Sequence, residues 1–179
     1  VAKHGANEAL VSVFENRRLT YAAFLDEVNR CARALMATGI QKGDRVGVWS
    51  TNCVAWIVAQ FATAKIGAIQ VNINPAYRLP ELEYALKQSE CNALISGEGF
   101  RDADYARMLY ESIPELGDAD PLADFSTPEF PHLRRVIYLG EKPVAGMLRW
   151  SELLPMQERV SPEQLAERQA SLDFDEVIN

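Results

Sequence analysis

Apolar residues along the chain fall into two recurring patterns. Short runs of about four to six apolar residues alternate with longer stretches in which apolar positions repeat every three or four residues. The first run, Ala9–Phe14, predicts a strand, Glu15-Asn16 a turn, and Arg17–Thr20 a short returning strand. Thr20 then stands where a helix N-cap is expected, its hydroxyl able to accept a free amide of the first turn. Tyr21, Phe24, Leu25, Val28, Ala32 and Leu35 follow at helical spacing, with Asp26, Glu27, Arg30 and Arg33 mostly on the other side. Gly39 closes that helix at the position favouring a left-handed residue.

Lys42-Gly43-Asp44 reads as a turn into Arg45–Ser50, a strand too evenly apolar to have one wet face. Asn52 is placed to cap a helix reaching Ile66, where Gly67 stops it. Ala68–Ile73 is the next strand. Pro80 suits the first position of a helix whose stripe is Leu82, Ala85 and Leu86 and which fades near Ser89, and Cys91–Ser96 is a strand again. Strand, helix, strand, helix, strand over 40–96 predicts a parallel sheet with helices on its faces, preceded by a small antiparallel element.

Beyond Gly97-Glu98-Gly99 the pattern thins. Tyr105–Ser112 fits a helix, and Pro114, Pro121, Pro128 and Pro131 mark an extended loop. Arg134–Leu139 returns as a strand and Trp150–Leu154 as a helical turn. Ser161-Pro162-Glu163-Gln164 forms a capping box. Asp173–Glu176 leads into Val177-Ile178-Asn179, which reads as the start of another apolar strand.

Composition narrows the class. With 179 residues, 48% hydrophobic and 24% charged, the chain can bury a core without disulfides or metals. Its net charge of −7 argues against binding to nucleic acid through phosphates or to a membrane through basic clusters. The charge is uneven: residues 1–97 carry ten basic and eight acidic side chains, residues 98–179 eight and seventeen. No apolar run approaches the ~20 residues that span a bilayer, and no basic-then-apolar start reads as a signal peptide. Cys31, Cys53 and Cys91 each lie in an apolar stretch without a CxxC spacing, as expected of buried free thiols in a reducing compartment.

Candidate chemistry is sparse. His4 and His132 have no partner at metal-ligand spacing, and no nucleophile elbow occurs. Gly97-x-Gly99 meets Asp102 where a dinucleotide fingerprint needs a third glycine. The carboxylate groups Asp102-x-Asp104 and Asp173-x-Asp175-Glu176 are better explained by capping and solvation than by a metal or by acid–base work. Open α/β sheets bind ligands beyond the carboxyl ends of their strands. That rule makes Asn52 and Trp56, after one strand, and Tyr77 and Arg78, after the next, the candidates for a substrate cleft. Their plainer roles are capping for Asn52, core packing for Trp56 and loop structure for Tyr77 and Arg78.

The order of local phrases adds a resemblance. Leu19-Thr20-Tyr21-Ala22-Ala23-Phe24 resembles the LTYxEL-type opening of adenylate-forming enzymes, with Phe24 in the leucine position. Gly39-Ile40-Gln41-Lys42-Gly43-Asp44-Arg45-Val46 resembles their helix-to-strand junction. Asn52-Cys53-Val54-Ala55-Trp56, Ala64–Ala68, Val71-Asn72-Ile73-Asn74-Pro75, Glu81–Leu86, Arg134–Ile137 and Asp175–Asn179 continue the likeness in order. Within that superfamily the N-C-x-x-W helix and V-N-I-N-P strand are most similar to fatty acyl-CoA synthetases, medium-chain members above all.

The resemblance implies a parent enzyme that joins a fatty acid to ATP with Mg2+, then passes the acyl group to coenzyme A. It also implies that the Ser/Thr/Gly-rich phosphate loop and the catalytic lysine lie beyond Asn179. The start at Val1 without Met fits a piece cut from a longer chain. The expectation is an amino-terminal portion of an AMP-binding domain: an α/β core over 1–97, a helix and proline-rich loop over 98–133, and a strand, helix and linker over 134–179. Such a piece is expected to be inactive, to hold no cofactor tightly and to carry no catalytic or metal residue. Its expected partners are the remainder of its own chain and a second copy, as a dimer through an unpaired sheet edge or the cleft face. Its expected place is the cytoplasm, with a peripheral membrane association as the variant. The alternatives are an adenylate-forming ligase for an aromatic or amino acid, and a non-enzymatic α/β binding module.

Overall fold

The computed structural model describes all residues, 1–179. A hairpin opens the chain, β1 (Glu8–Ser12) paired antiparallel with β2 (Arg17–Thr20). The first strand is shorter than its apolar run. Val13 and Phe14 are 86% and 99% exposed and belong to the turn, because the sharp reversal at Asn16, with φ 49°, needs those residues outside the ladder. Thr20 caps α1 (Tyr21–Ala37) as expected, its Oγ1 accepting from the Ala23 amide at 3.2 Å.

The main sheet contains β3 (Arg45–Trp49), β4 (Ile69–Ile73), β5 (Ala93–Ser96), β8 (Arg135–Tyr138) and the two-residue β9 (Leu148–Arg149), in the order β4-β3-β5-β8-β9. Every pairing within it is parallel. Between β5 and β8 lie the small antiparallel pair β6 (Gly99–Phe100) and β7 (Ala103–Asp104), then α4 (Tyr105–Ser112) and a 3₁₀ turn over Pro114–Asp118. The fold class is therefore as expected, α/β with a parallel sheet, flanking helices and a short antiparallel element.

Strand alternation divides the core into two layers. Val46, Val48, Ala93, Ile95 and Ile137 face one side, where they meet α1 and α2 (Val54–Ile66). Trp49, Leu94, Val136 and Tyr138 face the other, against α3 (Leu79–Ser89) and α4. Each large side chain buried this way contributes roughly 1.5–3 kcal/mol; Leu35 of α1 and Leu82 of α3, both fully buried, anchor the two layers. The chain closes with α5 (Trp150–Leu153), a 3₁₀ segment over Leu154–Arg159 and α6 (Pro162–Ala170) on the α1/α2 side. The predicted capping box at Ser161 is present: Ser161 N–H donates to Gln164 Oε1 at 2.7 Å, and Gln164 N–H to Ser161 Oγ at 3.2 Å.

Three local expectations are corrected. Asn52 does not cap α2; Cys53 holds the N-cap position without a side-chain bond, and Asn52 is exposed. The reason is a better acceptor from elsewhere: Glu15 Oε2, on the first hairpin, takes the Val54 amide at 2.8 Å. Pro80 sits one residue inside α3, after Leu79. Cys31 and Cys91 are buried free thiols, whereas Cys53, at the open end of β3, is only half-buried.

Candidate functional site

The connection β3–α2–β4 runs over one layer and β4–α3–β5 and β5–α4–β8 over the other. The winding therefore changes direction between β3 and β5. That topological switch point is where doubly wound sheets open a crevice at their carboxyl ends. Here it is formed by Ser50 and Thr51 after β3 and Gly97 and Glu98 after β5. It is tightly closed at its floor. Gly97 N–H donates to the Trp49 carbonyl at 2.9 Å, and a Cβ at Gly97 would stand 2.9 Å from Ser50 Oγ. Ser50 Oγ donates to the Thr51 carbonyl at 3.0 Å, so its hydroxyl proton is already used.

The structure places the four sequence candidates around this edge without bringing them together. Asn52 is exposed on the β3–α2 turn. Trp56 is half-buried against the α1/α2 core. Tyr77 and Arg78 belong to the β4–α3 turn, one strand away from the switch point. Arg78 Nη2 donates to Asp102 Oδ1 at 2.6 Å, and this hydrogen bond holds the Asp102 carboxyl below the usual carboxylate range. The other acid of that pair, Asp104, caps α4 by accepting from the Arg107 amide at 3.0 Å.

Behind the edge, Trp49 stacks on Tyr105 with ring centroids 3.6 Å apart and planes 11° from parallel. Tyr105 Oη donates to the Pro75 carbonyl at 2.5 Å and so ties the β4–α3 turn to α4. Burial raises its phenol to about 12 despite the nearby Arg78. The Trp49 indole N–H is buried without a partner. Burial also raises Tyr138, and the carboxylates of Glu98 and Asp104 add to the rise.

Helix N-termini along this edge face inward to their own carboxylates. Glu15 accepts from Val54 of α2, Glu81 from the Arg78 amide at the start of α3 (3.1 Å), and Asp104 from Arg107 of α4. At each of these starts one amide is taken, and the carboxylate's charge disfavours an approaching phosphate. No group of three or more His, Cys, Asp or Glu side chains is arranged to hold a metal ion.

Several cavities lie away from the sequence candidates. A cleft of about 390 Å³ at the carboxyl edge is lined by Glu15, Arg17, Arg30, Val54, Leu139 and Trp150. A second, about 690 Å³, lies between α1, α2 and the C-terminal segment and is mainly apolar, with Phe24, Leu25, Ile57, Phe61, Leu172 and Val177 in its wall. Glu15 was legible only as a turn residue. Its two ends, on β1–β2 and α2, are 39 residues apart, and no local signal links them. No helix is long and apolar enough to cross a membrane.

Comparison with known proteins agrees with this architecture. Residues 1–166 match the family described as AMP-binding enzyme. The chain is 41% identical over 172 residues to the YngI protein of Bacillus subtilis (strain 168), covering 96% of this chain and 31% of that protein. It is 36% identical over 180 residues to the mitochondrial medium-chain acyl-CoA ligase ACSF2 of Danio rerio, covering 100% of this chain and 29% of the ligase. Among solved structures, the anthranilate CoA ligase AuaEII in complex with anthranoyl-AMP superposes with a TM-score of 0.69 at 25% identity, over 87% of this chain and 26% of the ligase. The N-terminal domain of FACL13 from Mycobacterium tuberculosis superposes with a TM-score of 0.57 at 26% identity, over 98% of this chain and 35% of that domain. The chain thus spans about a third of the curated relatives it matches. With the parallel sheet, the order of sequence phrases and the match over 166 residues in agreement, the chain belongs to the AMP-binding enzyme family.

Proposed function

We propose that these residues are the scaffold portion of an ATP-dependent acyl-CoA synthetase for fatty acids of medium chain length, and that alone they neither adenylate an acid nor hold ATP, Mg2+ or coenzyme A tightly. The observation that carries the first half is 36% identity over the whole chain to a medium-chain acyl-CoA ligase. What supports the second is the carboxyl edge, where a carboxylate takes one amide at each of three helix starts and no lysine-bearing glycine loop occurs. Asn52, Trp56, Tyr77 and Arg78 are proposed to border the substrate cleft of the longer enzyme, from the β3 and β4 side of the switch point.

The substrate half is tested on the longer enzyme by thioester formation. Octanoate is expected to be converted with a kcat/KM at least tenfold above that for anthranilate. The reverse order favours the aromatic-acid reading, for which the likeness to an anthranilate CoA ligase speaks. The 179-residue chain is also proposed to self-associate through its apolar groove, where Phe61 is 53% exposed. Sedimentation is expected to show dimer growing with concentration; a monomer throughout contradicts it.

A further inference from the structure

The helical layer of α1 and α2 carries two adjoining cavities of different character. The apolar groove of about 690 Å³ and a basic pocket of the same volume share Lys65 and Gln169 in their walls. Each lies within the roughly 300–1,000 Å³ usual for small-ligand sites. The two helices change character together at the junction. Residues four apart share a helix face. On α2, Ile57, Phe61 and Lys65 follow at that spacing, two apolar side chains and then a cation. On α1, Leu25 stands in the groove, and Asn29 and Arg33, four and eight residues on, stand in the basic pocket.

That pocket holds an excess of positive charge in a chain of net charge −7. Arg30, Arg33 and Lys65 line it against one carboxylate, Asp26. Arg33 is engaged with the Val160 carbonyl and Gln157. Arg30 and Lys65 have no ion-pair partner. Burial lowers the Lys65 ammonium from its usual range, and an anion beside it would favour its charged form. The groove's remaining wall is the segment after α6, which is strapped in place. Arg168 Nη1 donates to the Ile66 carbonyl at 3.4 Å, Lys42 Nζ to the Ser171 carbonyl at 3.0 Å, and Gln70 N–H to the Ile178 carbonyl at 2.9 Å. The groove's two carboxylates, Asp173 and Glu176, belong to this wall, and Glu176 is paired with Lys42.

We infer that groove and pocket form one binding site for an amphipathic anion, a single alkyl chain lying along Ile57 and Phe61 with its carboxylate head facing Lys65 and Arg30. An apolar wall alone would take a neutral chain, and cations alone would take inorganic phosphate. Their junction at Lys65 selects a ligand with both parts. The site is a cleft between elements of a negatively charged chain, which favours a free monomer over an anionic bilayer. The inference does not depend on the proposed acyl-CoA synthetase activity.

Calorimetric titration with dodecanoate, kept below its micelle concentration, tests it on the 179-residue chain and on the longer enzyme. The shorter chain is kept dilute, because a second copy in the groove would compete. One equivalent is expected to bind it, and Lys65→Gln and the exposed Arg30→Gln are each expected to weaken binding roughly tenfold with unchanged urea midpoints. The neutral 1-dodecanol is expected to bind more weakly by a similar factor. In the longer enzyme, Lys65→Gln is expected to weaken one dodecanoate site and leave octanoate conversion unchanged. A longer enzyme that shows this site but converts no octanoate contradicts the proposed function and supports the inference. No binding by the 179-residue chain, equal binding by both variants, equal binding of 1-dodecanol, or no effect of Lys65→Gln in the longer enzyme overturns it. Binding to phosphatidylglycerol vesicles without binding of monomeric dodecanoate also overturns it, assigning the face to a membrane.

Discussion

At the scale of single residues, Glu15 and Tyr105 hold the carboxyl edge together. Glu15 accepts from the Ser12 hydroxyl at 2.7 Å and from the Val54 amide at 2.8 Å, joining the first hairpin to α2. Its replacement in Glu15→Ala removes a cap and is expected to lower stability by about 1 kcal/mol in urea unfolding, with Glu15→Gln losing less. An unchanged midpoint for Glu15→Ala would show that water replaces the cap at no cost. Tyr105 gives a pH signature. Its phenol ionises near 10 when unfolded and at about 12 in the fold, because burial disfavours the phenolate. Below pH 10 both states are protonated and the full stability is present. Between 10 and 12 the unfolded chain gives up the proton first, so stability falls. Burial raises Tyr110 and Tyr138 in the same direction. Urea unfolding across this range is expected to be less pH-dependent in Tyr105→Phe; an identical slope would exclude Tyr105 as a source.

At the scale of elements, the sequence reading succeeded where the signal is local. Thr20 and Ser161 announce their helices because the capping hydroxyl and the amide it binds are three residues apart. Tyr105–Ser112 was readable to the residue from its apolar spacing. The reading failed at the cap of α2, which comes from Glu15 across 39 positions, and at β6, β7 and β9, which are two residues long and show no period. Sheet order was not legible either. Loops after β3 and β4 were therefore weighed as the cleft, while the β5 loop, Gly97-Glu98, which forms the switch point together with the β3 loop, was passed over. The end of α2 supplies the prediction at this scale. Gly67 has φ +73°, and a Cβ there would stand 2.5 Å from Leu172 Cδ2. Gly67→Ala is expected to cost about 1–2 kcal/mol, chiefly from the left-handed backbone, since the leucine tip can turn aside. It is also expected to loosen the segment carrying Ile178, visible as faster exchange of the Gln70 amide. Loss of stability without faster exchange would separate the helix end from the strap.

At the scale of the whole molecule, fold and chemistry divide. The doubly wound sheet and two packed helical layers agree with the family match over residues 1–166, while helix starts at the carboxyl edge already give an amide to a carboxylate. Adenylation depends on stabilising charge at a crowded phosphate and on holding two anions in line. The scaffold role proposed for these residues in a longer synthetase is a claim about where those donors and cations lie. The most direct test is exchange of labelled pyrophosphate into ATP, with magnesium and octanoate, measured side by side on the 179-residue chain and the longer enzyme. The account predicts background exchange for the former and octanoate-dependent exchange for the latter. Octanoate-dependent exchange by the 179 residues alone would contradict it.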